Sequence, residues 1–142
     1  MKNNKKGFTL VELLAVIVIL AIIALIATPI ILNVIDNAKE GSAKNSAYGY
    51  IDAVEKANAQ QILKESNISV LSGTYNISAN GATVVESKEG EGPKASFAVS
   101  FKGTAPTAGT LTYEAGKLKS GNITVDGKKF NITDGELTKA DK

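Results

Sequence analysis

Residues 13–35 read LLAVIVILAIIALIATPIILNVI, 23 consecutive positions without a charge. Ile, Leu, Val and Ala dominate the run, and its length exceeds the ~20 residues that a helix needs to cross a bilayer core. Immediately before it stand Gly7-Phe8-Thr9-Leu10-Val11-Glu12, preceded by a basic start with Lys2, Lys5 and Lys6. By the positive-inside rule those lysines stay cytoplasmic and the rest of the chain faces outward.

A cleaved secretory signal does not fit this segment. Such signals use an apolar region of about 7–15 residues, and no small-x-small site is present. Ala15, Ala21, Ala24 and Ala27 are preceded two positions earlier by Leu13, Ile19, Ile22 and Leu25. A plain transmembrane anchor accounts for length and orientation but leaves Glu12 without a reason. An acid in an apolar helix is costly and usually functional.

The stretch Lys5-Lys6-Gly7-Phe8-Thr9-Leu10-Val11-Glu12-Leu13-Leu14 closely resembles the class III leader of type IV pilins and related pseudopilins. The resemblance is confined to about the first 35 residues. It implies that a membrane-bound prepilin peptidase cuts between Gly7 and Phe8 and that the new N-terminal Phe8 is N-methylated. Glu12 matches the family's acidic residue near the mature N-terminus, where it serves assembly. The implied partners are the peptidase, an assembly platform, membrane lipid before assembly, and identical subunits in a helical homopolymer. The implied protein is a single-pass membrane precursor, N-terminus inside and head outside, that becomes an extracellular filament. Adhesion, surface motility, biofilm formation and DNA uptake are the activities the family serves. The alternative is a pseudopilin of a type II secretion or competence machine, and from another class, an anchored monomeric binding module.

Composition agrees with a structural role. Without Cys, His, Trp or Arg, the usual zinc, haem and iron–sulfur ligand sets are missing, as are Cys nucleophiles and His bases. No Ser-x-x-Lys spacing occurs. No catalytic residue, metal or cofactor is expected, and Asp134-Gly135-Glu136 is too sparse for a Ca²⁺ loop. The formal charge of +2 includes three leader lysines; beyond Gly7, 13 Lys face 14 acids, a balance of −1. Nucleic-acid binding needs clustered cations to meet phosphates, so none is expected for the isolated subunit.

Past the apolar run the helical pattern continues, with Ala47, Ile51, Val54 and Ile62 near one face. Lys39, Glu40, Lys44, Asp52, Lys56 and Lys64 supply the polar side, with Glu40–Lys44 and Asp52–Lys56 as expected i,i+4 pairs. Pro29 lacks an N–H and crowds the Leu25 carbonyl, so a kink or short unwound stretch is expected there. Pilins often carry a helix breaker in this region, and the resemblance favours a functional break at Pro29. Ser66–Asn67 interrupts the pattern.

From there the period becomes two. Phe97, Val99 and Phe101 alternate with small residues, as do Leu111/Tyr113, Ile123/Val125 and Phe130/Ile132. Asn80-Gly81, Ala115-Gly116, Asp126-Gly127 and Asp134-Gly135 are the turn signals. A two-residue type I′ turn at Asp126-Gly127 sets Val125 opposite Lys128 and Ile123 opposite Phe130; the same turn at Ala115-Gly116 sets Tyr113 opposite Leu118. Glu86–Lys94 and Lys102–Gly109 read as solvated loops. Asn-Ile-Ser/Thr triplets begin at Asn67, Asn76, Asn122 and Asn131; they match a glycosylation pattern but are also ordinary strand sequence. The expected organisation is a leader at 1–7, a membrane or filament-core half-helix at 8–35, an amphipathic half-helix at 36–65, and an antiparallel β head at 66–142. The class is α+β, with the second half-helix packed on the sheet, because a narrow apolar stripe cannot stand in water alone.

Overall fold

The computed structural model describes residues 7–64, 70–87 and 96–140. The leader lysines, the break at Ser66–Asn67, the Asn67 triplet and residues 88–94 of the first expected loop lie outside the described residues. The chain divides into two compact units, Met1–Lys39 and Glu40–Lys142. One helix, α1 (Leu10–Lys64), contributes to both.

Among the described residues of the second unit, seven strands follow the helix: β1 (Gly73–Ile77), β2 (Thr83–Ser87), β3 (Ser96–Ala98), β4 (Pro106–Glu114), β5 (Lys117–Val125), β6 (Lys128–Thr133) and β7 (Glu136–Lys139). They form one antiparallel sheet in the order β3-β2-β1-β4-β5-β6-β7. The α+β class holds, and the C-terminal part of α1 packs on the sheet. Ala43, Ala47, Tyr50, Ile51 and Val54 are buried on that part of the helix, at spacings that keep them on one stripe. They join Leu111, Tyr113, Ile123, Phe130, Ile132 and Leu137 from the sheet in one core. Tyr50 meets Phe101 edge to face, with ring centroids 5.1 Å apart, a geometry aromatic quadrupoles favour. No described side chain bonds the buried Tyr50 hydroxyl, and desolvation pushes its pKa up to about 12. Ile62 is only half-buried.

The hairpins keep the expected register: Tyr113 opposite Leu118, Val125 opposite Lys128, and Ile123 opposite Phe130. The turn residues explain why. Ala115, Asp126 and Asp134 have φ of 49°, 50° and 49°, each followed by a positive-φ glycine, the type I′ signature that matches strand twist. Alanine is the poorest fit of the three, since a left-handed residue with a Cβ costs about 1–2 kcal/mol. Ala115→Gly is expected to raise head stability by about 1 kcal/mol, read as a higher urea midpoint in chemical unfolding of the micelle-held chain. A midpoint unchanged or lowered contradicts the strain argument.

Three expectations need correction. The loop expected at Lys102–Gly109 ends at Ala105, because Pro106–Gly109 open β4. Proline is tolerated at the first residue of a strand. Gly109 serves close approach, not a loop, since a Cβ there would lie 2.5 Å from the Asn122 carbonyl oxygen. Glu86, assigned to the other loop, belongs to β2 and lies opposite Tyr75. Glu40 does not reach along the helix to Lys44; it pairs with Lys139 on β7. The sheet brings that cation to the helix, and a partly buried carboxylate gains more there than from an exposed i,i+4 pair. Asp52–Lys56 does form, at 2.5 Å.

Candidate functional site

The described part of the first unit begins with Gly7 and Phe8, both outside α1 and exposed; Phe8 is 93% accessible. The helix starts where Thr9 can cap it. The Thr9 backbone N–H and its hydroxyl both donate to Glu12 Oε2 at 2.9 Å, and the Glu12 N–H donates back to Thr9 Oγ1 at 3.2 Å. This is a reciprocal capping box, Thr-x-x-Glu, which satisfies donors that a helix N-terminus otherwise leaves open. It holds the Glu12 carboxylate through one oxygen. The helix therefore begins just after the Gly7-Phe8 peptide bond instead of enclosing it. Thr9 was legible as a cap from the Thr-x-x-Glu spacing alone, yet the sequence reading treated Glu12 only as a charge.

Downstream, no described residue before Lys39 is buried, although the helix is long and apolar enough to cross a membrane. Leu, Ile and Val side chains along residues 10–34 are each more than half exposed, and Ile35 is 43% exposed. Among the described residues none covers them. Pro29 lies inside α1, with helical residues on both sides. Proline removes the backbone donor that would meet the Leu25 carbonyl, and the neighbouring Thr28 hydroxyl donates to the Ala24 carbonyl at 2.7 Å. The structure thus brings Thr9 and Glu12 together beside the Gly7-Phe8 bond, and leaves Pro29 apart from them, further along α1.

The head supplies a second feature that sequence did not reveal. The backbone N–H of Leu137 on the edge strand β7 donates to the Tyr48 hydroxyl of α1 at 3.0 Å. Together with Glu40–Lys139, this ties the C-terminal edge strand to the helix in a chain that has no disulfide. Edge strands with open backbone groups invite unwanted pairing, and Tyr48 occupies one of those groups.

Residues 2–28 match the family model described as the prokaryotic N-terminal methylation motif. The chain is also 34% identical over 82 residues to prepilin peptidase-dependent protein A of Clostridium perfringens (strain 13 / Type A). That alignment covers 56% of this chain and 59% of the relative. No solved structure matches the chain significantly. The methylation motif runs directly into an exposed apolar helix, and that helix continues into the core of a small antiparallel sheet; in these features the chain is similar to type IV pilin-like precursors.

Proposed function

We propose that the chain is the structural subunit of a type IV pilus. In this reading prepilin peptidase cuts between Gly7 and Phe8, Phe8 is N-methylated, and copies polymerise into a surface filament with residues 8–35 at its centre. The name of the C. perfringens relative supports the peptidase as the first partner. The observation that carries the polymer reading is the uncovered apolar helix. At about 25 cal/mol per Å², so much apolar surface requires a cover that the described residues do not provide. Lipid covers it before assembly and neighbouring helices cover it afterwards. The protein is then non-enzymatic, membrane-held with its head outside, and extracellular once assembled. Adhesion, motility, biofilm formation and DNA uptake are the services open to such a filament.

The exposed Gly7-Phe8 bond, kept out of the helix by the Thr9–Glu12 cap, is the expected cleavage point. Mass spectrometry of the mature chain should show an N-terminal methyl-Phe8. A chain that retains Met1, or begins near Thr28, contradicts processing at this bond. Electron microscopy of shed surface material, with antibody to the head, tests the filament. Long fibres are expected, whereas short wall-spanning assemblies support the secretion or competence pseudopilin instead. In the filament, local unwinding is proposed around Leu25–Pro29, where the Leu25 carbonyl lacks the proline N–H as partner. A filament map with unbroken α-helix from Phe8 to Ile35 rejects that proposal.

A further inference from the structure

The outer face of the sheet, opposite the core, carries an array that the filament reading does not use. Asn76, Thr110, Asn122, Asn131 and Thr138 lie directly opposite one another in turn across β1, β4, β5, β6 and β7. Each alternates along its strand with a core residue, so period two places all five on the outer face. A second row runs beside it through Thr74, Thr112, Ser120 and Thr133, ending at Glu136. Asn76, Asn131, Thr133 and Thr138 are exposed, and Thr110 and Asn122 half-buried.

Strand propensity accounts for the threonines but not for three aligned asparagines, since Asn is depleted in strands. Nor is this an ordinary solvated face, where Lys and Glu intersperse. The chain has 16 Lys and 14 acids, yet the first row holds none. The side chains also order one another. Asn122 Nδ2 donates to Thr110 Oγ1 at 3.0 Å, and the Thr74 and Thr112 hydroxyls lie 3.1 Å apart.

We infer that this face docks an extended neutral polysaccharide. Its charge and chemistry select that occupant. A phosphate polymer or anionic lipid surface needs cations, and the rows contain no lysine; Lys129 stands in the next row, opposite Thr124. A protein partner needs aromatic or large aliphatic anchors; over β1 and β4 to β7 the rows contain none, and where the first row continues onto β2 it meets only the half-buried Val85, opposite Asn76. Hydroxyls and primary amides both donate and accept, which suits a ligand whose own hydroxyls do the same. Adjacent strands lie about 4.8 Å apart, close to the length of one sugar in an extended β-1,4-linked glycan. A glycan crossing the strands then meets about one side chain of a row per sugar. With no ring to stack on, a single face holds such a chain weakly. Repetition along a filament multiplies weak sites into firm attachment, a consequence that rests on the pilus reading.

The test titrates chitohexaose and cellohexaose into full-length protein, isotope-labelled and held in micelles of a detergent without a sugar headgroup. Saturable shifts are expected at the side-chain amides of Asn76, Asn122 and Asn131, and none with an anionic hyaluronan fragment. Asn76→Asp with Asn131→Asp puts charge into the row and is expected to weaken binding at least tenfold with the core resonances unmoved. Absence of shifts at those three amides with both neutral hexamers overturns the inference, as does equal response to hyaluronan. A folded double variant with unchanged affinity also overturns it. If the double variant does not fold, the wild-type shift map still decides. Because the measurement uses the unpolymerised chain, glycan binding without filaments would count against the pilus reading alone.

Discussion

Glu12→Gln should give a chain that is cut and methylated normally but whose filament yield falls by ~10-fold or more. The substitution isolates charge from structure. Glu12 Oε2 accepts both the backbone N–H and the hydroxyl of Thr9, and a glutamine amide oxygen can accept the same two bonds. The capping box and the helix start therefore survive. What disappears is the negative charge. After cleavage Phe8 carries a free amine, at least partly cationic at neutral pH because an α-amine titrates near ~8. Among packed apolar helices either charge alone is heavily penalised, and removing one partner of a buried pair costs roughly 3–5 kcal/mol. In the proposed filament, pairing with the amine of an incoming copy would relieve that penalty only when the copy arrives in register, so the pair would act through specificity more than net stability. Thr9→Ala is the complementary control. It removes the cap, worth about 1 kcal/mol, keeps the charge, and should leave most filament yield intact. Filaments at wild-type yield from a fully processed Glu12→Gln chain would show that the charge does not guide assembly.

The second large effect is expected in the head. Phe130→Ala should destabilise it by ~3–5 kcal/mol, as for large-to-small substitution of a buried aromatic. Phe130 is 1% exposed and sits on β6 between Ile123 of β5 and Lys139 of β7. Truncation leaves a cavity where the central hairpins meet the helix stripe. A small domain without a disulfide has little reserve, and typical stabilities are only about 5–15 kcal/mol. The expected readout is loss of tyrosine near-ultraviolet dichroism at much lower urea in micelles, since Tyr50, Tyr75 and Tyr113 belong to the same core. The apolar half of α1 should keep its helical signal, because none of its described residues depends on that core for burial. A urea midpoint equivalent to less than about 1 kcal/mol of loss would mean that Phe130 is not an anchor of the core.

These two residues illustrate how differently parts of the chain can be read. Gly7, Phe8 and Glu12 can be proposed from sequence alone because the motif lies in local order: a basic leader, a small residue, and an acid at a fixed distance before an uninterrupted apolar run. The Tyr113–Leu118 and Ile123–Phe130 pairings were equally legible, because a two-residue turn determines register over a few positions. The buried stripe from Ala47 to Val54 follows from helical period alone.

Only the tertiary structure placed β1 between β2 and β4. Strands β1 and β4 are joined by no short turn, and period two marks a strand's inner face without naming its neighbour. Strands β1, β2 and β7 are five, five and four residues long, too short for alternation to separate them from loops. Pro106 and Gly109 look like loop residues in sequence, but strand pairing with β5 overrides both. The Tyr48–Leu137 bond, the Glu40–Lys139 pair and the alignment of Asn76 with Asn122 through Thr110 were likewise decided by folding. Each joins residues from separate elements, and no local pattern encodes which distant backbone edge or charge the packed core will bring alongside.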